Sequence, residues 1–294
     1  MTIYDLLARP HYHHKAVLTK LICHHLHLTA EEIFIHYDDT IAPDDLTYIE
    51  SDYHLYDHDH KPLEYILGYV EFLGRRFAID ERALIPRAET EYMIMAVYEY
   101  IQKYAISDGL LMDIGAGCGV LWLSILDQYP QTFRHAYLTD ISDDILALES
   151  TNLHQYRTPA WTTDVVLVQS DLLAFIDEAL LVTLATTPHW LIVANLPYIP
   201  DDTFDRDADR GAILWEPRVA FVGWDDGLHR YRQLFDQLLV IAPRLQPHPS
   251  LVLFLEMMTR QVEILMSEYT SSFTFEIVKT FHFNIVIIKV QPLQ

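Results

Sequence analysis

The chain is poor in cysteine and has no long apolar run. Its 294 residues include two cysteines, Cys23 and Cys118, too few and too far apart for a disulfide framework or a cysteine-based zinc site. No apolar stretch reaches the roughly 20 residues that a membrane helix requires, and MTIYDLLARPHYHHK, at the start, lacks the apolar core of a secretion signal. These absences predict a globular protein of the cytoplasm.

Positive charge is also scarce. The chain has 20 Lys and Arg against 42 Asp and Glu, which gives a formal net charge of -22. A field of that sign repels polyanions over several ångströms. The charge balance therefore disfavours duplex nucleic acid as a partner.

Residues 1 to 68 are predicted to form a small helical domain. The stretch KAVLTKLICHHLHL has apolar residues at helical spacing. Thr29 and Glu32 in TAEE have the spacing of a helix capping box, and Pro43 with the acidic pair after it is suited to open a further helix.

The rest of the chain divides into a hairpin and a larger domain. Residues 69 to 89 alternate in polarity and carry Gly74 at a turn, which predicts a bridging hairpin. From about residue 90 to residue 294, near-continuous apolar strands alternate with helical stretches, which predicts a parallel sheet covered on both faces. The predicted parallel strands are LLMDIG (110 to 115), HAYLTD (135 to 140), VVLVQS (165 to 170), WLIVANLP (190 to 197) and LVLFLE (251 to 256).

The end of the chain departs from this alternation. FTFEIVKTF and NIVIIKVQ follow one another after a short turn, which favours an antiparallel pair. An otherwise parallel sheet closed by such a hairpin is the outline of the class I methyltransferase fold. We therefore predict an α/β protein with a Rossmann-like, mostly parallel seven-stranded sheet and a small N-terminal helical domain.

A glycine-rich loop follows the first strand of the predicted sheet. DIGAGCG comprises Gly115, Ala116, Gly117, Cys118 and Gly119 and precedes a helical stretch. Glycines there permit a tight turn and close approach of a ligand to the helix N-terminus, although a turn that merely packs closely has the same appearance. The pyrophosphate-binding pattern G-x-G-x-x-G fails at the next residue, which is valine.

Three aspartates accompany the loop. Asp140 closes the second strand, where open sheets of this kind place an acid that accepts hydrogen bonds from ribose hydroxyls. Asp113 adds negative charge near a cationic ligand, and Asp171 after the third strand is placed to meet an adenine amino group. Capping of the following helices is the alternative for Asp140 and Asp171. Together the three favour S-adenosylmethionine as cofactor.

The candidate catalytic residues are Asn195, Leu196, Pro197 and Tyr198, which end the fourth strand. The Asn195 side-chain oxygen and the Leu196 carbonyl can accept both N-H bonds of one planar NH2 group. Pro197 stiffens the backbone, and the Tyr198 ring can lie against the presented amide. Positioning of this kind can support methyl transfer without a strongly shifted acid or base. An ordinary strand-ending turn, with Asn as a local hydrogen bonder, is the alternative.

These motifs resemble those of the HemK-type protein glutamine N5-methyltransferases, which modify translation release factors. PLEYILGYVEFLGRRFAIDERALIPRAETE is similar to the family's bridge with its I-P-R-P-x-T-E signature, and DIGAGCG to its cofactor loop. NLPYIP is similar to its N-P-P-Y motif, and WEPRVAFVGWDDGLHRY to its E-P-x-x-A-L-x-G-x-D-G-L stretch. Leu196 and Ala88 stand where the family has proline.

The resemblance carries several implications. Gly115 to Gly119, Asp140, Leu172 and Asn195 would contact S-adenosylmethionine. Asn195 to Tyr198 would hold a substrate glutamine of a peptide chain release factor, and the N-terminal helices would help to dock that protein.

Other functions stay open on the sequence. Ribosomal protein L3 is an alternative substrate within the same enzyme class. Adenine N6-methylation of RNA or DNA is another, because N-L-P-Y also occurs in enzymes that dimethylate ribosomal RNA adenines. An inactive adaptor with this fold is a third. The many histidines, His54 and His58 among them, are interpreted as solvated helix faces and not as a metal site, and DDTFDRDADRG as a charged loop.

Overall fold

The computed structural model of the protein describes residues 1–207, 211–245, 249–281 and 285–293. Four short helices make up the N-terminal part of the chain: α1 (Ile3–Ala8), α2 (Lys15–His25), α3 (Pro43–Asp57) and α4 (Leu63–Leu67). Their apolar faces meet in one cluster that includes Leu6, Leu18, Leu21 and Ile49. The burial of these residues holds the four helices together.

Local capping explains where two of these elements begin. Pro43 is the first residue of α3, as predicted. Thr29 and Glu32 form the predicted capping box, with backbone-to-side-chain distances of 2.8 and 3.2 Å. The element that follows this box is one turn of 3-10 helix, Glu32–Phe34.

A two-stranded antiparallel hairpin follows the helices. It consists of β1 (Tyr69–Phe72) and β2 (Arg75–Ala78). Leu73 and Gly74 form the turn with φ of 48° and 74°, the positive values that a two-residue hairpin turn requires. The turn lies at Gly74, as predicted, and the two strands occupy residues 69 to 78 of the predicted range 69 to 89.

A seven-stranded sheet dominates the remainder of the described chain. Its strands are β3 (Gly109–Ile114), β4 (Phe133–Asp140), β5 (Asp164–Gln169), β6 (His189–Ala194), β7 (Ser250–Met258), β8 (Phe273–Thr280) and β9 (Ile285–Pro292), in the spatial order β5-β4-β3-β6-β7-β9-β8. The first five are parallel, and β9 pairs antiparallel with β7 and with β8. This is the predicted class I methyltransferase sheet, although Asn284, the predicted start of the last strand, lies outside the described residues.

Helices cover both faces of the sheet. They are α5 (Ala88–Tyr104), α6 (Val120–Gln128), α7 (Asp143–Tyr156), α8 (Glu178–Leu184), α10 (His229–Ile241) and α11 (Thr259–Tyr269). A further helix, α9 (Asp201–Asp207), follows the segment after β6. Neighbouring strand residues enter opposite layers of the core: Leu111 packs with the α5 and α6 side, and Leu110 with the α10 and α11 side. The two-residue period of a strand produces this division, so strands buried on both faces read as continuous apolar runs.

Most predicted strand ends lie within two residues of the structure, and two segments differ by more. The strand predicted over residues 190 to 197 is β6, which ends at Ala194, and Ile199 forms an isolated bridge with Val222 outside the sheet. Within the charged stretch predicted to be a loop, Asp201–Asp207 form α9, and the next three residues lie outside the described residues. Among the helices of the described ranges, none has the length and apolarity that crossing a bilayer demands.

Candidate active site

The candidate site is a cleft at the carboxyl edge of the sheet. The order of the strands reverses at β3, so the segments after β3, β4 and β6 converge there, and ligands of open α/β sheets bind at such a point. Gly115, Asp140 and Asn195, one from each segment, all line the cleft.

The glycine loop forms a tight turn at one end of the cleft. Gly115, Gly117 and Gly119 have φ of 73°, 60° and 85°, a backbone region that L side chains rarely adopt. The amides of Gly115 and Ala116 both donate to the Thr139 carbonyl, at 2.8 and 3.0 Å. A Cβ atom on Gly117 would meet nothing within 4 Å. The turn therefore brings bare backbone to the cleft.

Cys118 lines the cleft from this turn, as does Ala116. It is buried, and burial raises the pKa of its thiol to about 12. The Asn152 amide of α7 donates to the Cys118 carbonyl at 2.8 Å. A small side chain suits this position, and the thiol is not activated as a nucleophile.

Asp140 presents a nearly buried carboxylate to the cleft. It accepts hydrogen bonds from the Ser142 amide at 3.1 Å and from the Gly117 amide at 3.4 Å. Burial raises its pKa. The N-cap of α7 is Ser142, so Asp140 stands before the helix cap, and its oxygens retain lone pairs for ligand hydroxyls.

Asp113 does not lie where the sequence analysis placed it. It is fully buried behind the glycine turn, accepts from the Trp122 amide at 3.2 Å, and is not among the described residues that line the cleft. Burial raises the pKa of Asp113 to about 8. The Asp113 carboxyl is therefore largely protonated at neutral pH, so it does not add a full negative charge near the cleft. Its structural contact is the hydrogen bond from the Trp122 amide.

Asp171 and Leu172 line the other end of the cleft. Asp171 is half exposed, and its Oδ1 accepts from Arg230 Nη1 at 2.9 Å. Asp171 does not cap the helix that follows it, because the N-cap of α8 is Asp177, whose Oδ1 accepts from the Leu180 amide. Leu172 is buried with φ of 57°. Arg230 was missed by the sequence analysis, and it already occupies one oxygen of Asp171.

The segment after β6 brings polar atoms to the middle of the cleft. Asn195 Nδ2 donates to Thr90 Oγ1 at 3.3 Å, and no donor to Asn195 Oδ1 occurs among the described hydrogen bonds. The Leu196 carbonyl lies 3.1 Å from the Tyr231 hydroxyl, whose single proton is shared with the Glu256 carbonyl, so at least one of the two lone pairs on the Leu196 oxygen is free. Asn195, Leu196 and Pro197 all line the cleft.

Tyr198 has a different environment from the one predicted. Its hydroxyl donates to Glu256 Oε1 at 3.0 Å, and its carbonyl accepts from Gln261 Nε2 at 2.6 Å. It is not one of the described residues that line the cleft. The hydroxyl ties the turn to β7, and the contact of the ring with a presented amide stays a prediction.

One wall of the cleft is fixed by a buried carboxylate that the sequence analysis did not single out. Glu216 accepts from the Ile85 amide at 3.0 Å and from Arg87 Nη2 at 2.6 Å. It thereby joins the IPRAET and WEPRVAF motifs, and both segments contribute lining residues, among them Pro86 and Val219. Only their proximity in space reveals this contact.

No model of a protein family matches the chain. It is similar to curated proteins named release factor glutamine methyltransferase. The Bacillus cereus protein is 32% identical over 60% of this chain and 58% of its own length. The Deinococcus radiodurans protein is 32% identical over 66% of this chain and 62% of its own, and the Moorella thermoacetica protein 33% over 59% and 55%. The resemblance predicted from the motifs is confirmed, over little more than half of these relatives' length.

Solved structures support the fold assignment. The catalytic domain of hMettl16, solved in complex with MAT2A 3'UTR hairpin 6, superposes with a TM-score of 0.51 over 85% of this chain and 81% of that one, at 11% sequence identity. At that identity the likeness concerns the fold alone. The protein thus has the class I methyltransferase fold.

Proposed function

We propose that this chain, similar over 60% of its length to proteins named release factor glutamine methyltransferase, transfers a methyl group from S-adenosylmethionine to the side-chain amide nitrogen (N5) of a glutamine in a peptide chain release factor. The observation that supports this proposal most is that Asn195, the glycine turn and Asp140 line the same cleft. Residues 90 to 294 would perform the transfer, residues 69 to 89 would bridge, and residues 1 to 68 would help to dock the protein substrate. We expect the enzyme to act in the cytoplasm.

The chain offers suitable groups to the cofactor. The Asp140 carboxylate has free lone pairs for two ribose hydroxyls. The glycine turn presents backbone without a side chain at Gly117, and Leu172 adds an apolar surface beside Asp171. When bound, S-adenosylmethionine supplies an activated methyl group and its own leaving group.

The residues of the chain would act by positioning. Asn195 Oδ1 and the remaining lone pair of the Leu196 carbonyl would accept the two N-H bonds of the glutamine amide, which aims the nitrogen lone pair at the methyl carbon. The glutamine nitrogen would take the methyl group that the cofactor supplies and would lose one proton to water, and the electron pair of the broken C-S bond would stay with the cofactor. The side chain of Leu196 is buried against the glycine turn. Only the backbone carbonyl of Leu196 would bind the substrate amide.

Replacement of Asn195 tests this proposal. We expect Asn195→Ala to bind S-adenosylmethionine largely as the wild type does and to lose at least about 100-fold in transfer rate, the usual effect of removing one fixed polar group at a reacting centre. Asp140→Asn should show the opposite pattern, with weakened cofactor binding. Calorimetry measures the binding, and transfer of a labelled methyl group measures the rate. Undiminished turnover in Asn195→Ala would contradict the assigned role.

The substrate is decided by parallel incubations. Release factor, ribosomal protein L3 and RNA are each offered with labelled cofactor, and mass spectrometry locates the modified residue. We expect label on a release factor glutamine, since a net charge of -22 opposes close approach of nucleic acid. Label on RNA alone would instead establish an adenine methyltransferase, which needs a flipped base.

A further inference from the structure

A second buried carboxylate lies directly behind the candidate catalytic asparagine. Glu256, in β7, is 1% exposed and accepts from Thr90 Oγ1 at 2.9 Å and from the Tyr198 hydroxyl at 3.0 Å. None of the described ion pairs includes it. Burial raises its pKa, while these two donors and the Asn195 amide favour the charged form. The proposed transfer assigns no role to this group.

While Glu256 is ionised, the hydrogen-bond chain that leads from it has one consistent direction. An ionised carboxylate accepts and cannot donate, so the single hydroxyl proton of Thr90 points at Glu256. Thr90 Oγ1 can then only accept from its other neighbour, Asn195. The NH2 group of Asn195 must therefore face Thr90. This agrees with the distance of 3.3 Å between Asn195 Nδ2 and Thr90 Oγ1.

We propose that Glu256 is a positioning residue that acts through Thr90 to fix the orientation of the Asn195 amide, so that its oxygen and not its nitrogen faces the cleft. The two ends of a carboxamide have nearly the same shape but opposite hydrogen-bonding character. A turned amide would place NH2 against the NH2 of a substrate amide, and two donors cannot bond to each other. The catalytic consequence rests on the proposed function, whereas the orientation does not.

Two variants break the chain at different links. Thr90→Val keeps the side-chain shape and removes the hydroxyl, and Glu256→Met removes the acceptor so that Thr90 is free to donate to Asn195 Oδ1. Thr90→Ser keeps the hydroxyl and should behave as the wild type does. Thr187→Val is the matched control, because Thr187 is equally buried and its hydroxyl has no hydrogen-bond partner among the described residues.

The orientation is measured without any substrate. In 15N-labelled protein, the Asn195 side-chain NH2 signals are identified by their loss in Asn195→Ala, and their exchange with water is recorded. We expect exchange at least about tenfold faster in Thr90→Val and Glu256→Met than in the wild type, as befits a lost buried hydrogen bond, and no change in Thr90→Ser or Thr187→Val. Unaltered exchange in Thr90→Val would overturn the proposal, even should Glu256→Met fail to fold.

Kinetics then test the consequence. The kcat of methyl transfer should fall at least about tenfold in each of the two disrupting variants, with KM for S-adenosylmethionine unchanged and activity retained in Thr90→Ser. Because Glu256 and Thr90 act on the same amide, the double variant should be no slower than the slower single one. Additive losses would contradict the positioning role. A wild type that methylates no release factor would refute the proposed function and leave the exchange result to decide the orientation.

Discussion

At the scale of single residues, the two halves of the site are in direct contact. A Cβ atom built on Gly115 would lie 3.0 Å from Leu196 Cδ2. The leucine that replaces the family's proline thus fills space left by the absent side chain of the glycine turn. The glycine turn and the segment after β6 are therefore coupled by packing.

Gly115→Ala tests this contact. The alanine would adopt φ of 73°, which costs roughly 1 to 2 kcal/mol, and would also push Leu196. Gly68→Ala is the control, since Gly68 has the same φ with nothing within 4 Å. We expect both variants to lower the melting temperature and only Gly115→Ala to weaken binding of S-adenosylmethionine in calorimetry. Equal affinities in the two variants would show that the contact does not couple the turns.

Asp113 makes a prediction about pH. Its pKa is raised from 3.8 to about 8 in the folded protein, so the folded state holds a proton that the unfolded state has lost. Its contribution to stability is present below about pH 4 and is lost as the pH rises through 8, with a slope of at most roughly 1.4 kcal/mol per pH unit. Asp113→Asn should flatten the fall in the free energy of unfolding between pH 5 and pH 8 measured in urea, while Asp108→Asn, at an exposed ion pair, should not. An unchanged slope in Asp113→Asn would contradict this account.

At the scale of elements, the cleft depends on segments that join helices and strands. Glu216 holds together the start of α5 and the WEPRVAF motif (residues 215 to 221), because it accepts hydrogen bonds from Ile85 and Arg87. Removing one partner of a buried charged contact leaves the other unsatisfied. The wall of the cleft should therefore loosen when this carboxylate is lost.

Glu216→Ala measures that dependence. We expect a loss of about 1 to 3 kcal/mol in the free energy of unfolding and a higher KM for S-adenosylmethionine. Arg218→Ala is the nearby control, because its ion pairs with Asp201 and Asp205 are exposed and such pairs contribute little. A Glu216→Ala variant as stable as Arg218→Ala would contradict the proposed role of Glu216 in holding the cleft wall.

At the scale of the whole molecule, the dominant quantity is charge. A net charge of -22 on a 34.3 kDa chain repels itself as well as polyanions. Salt shortens the range of that repulsion from about 30 Å at 10 mM to about 8 Å at 150 mM. The melting temperature should accordingly rise between these two salt concentrations, and the protein should not retain duplex RNA at low salt. A melting temperature that falls with added salt would mean that attractive ion pairs outweigh the repulsion.

The sequence by itself determined the class of the fold and predicted which segments meet at the candidate site. Strands buried on both faces appear as apolar runs, and the residues after them must meet at one edge of a parallel sheet, so Gly115, Asp140 and Asn195 could be brought together from spacing alone. Glu256 offered a weak signal, as a carboxylate near the end of an apolar strand.

Only the tertiary structure decided what each of these groups does. Burial and hydrogen-bond direction depend on neighbours that are distant along the chain, and no local pattern encodes them. Asp113 is neutralised because the sheet and α6 enclose it. Asn195 turns its oxygen to the cleft because Thr90 and Glu256, from α5 and β7, leave its amide one consistent set of partners.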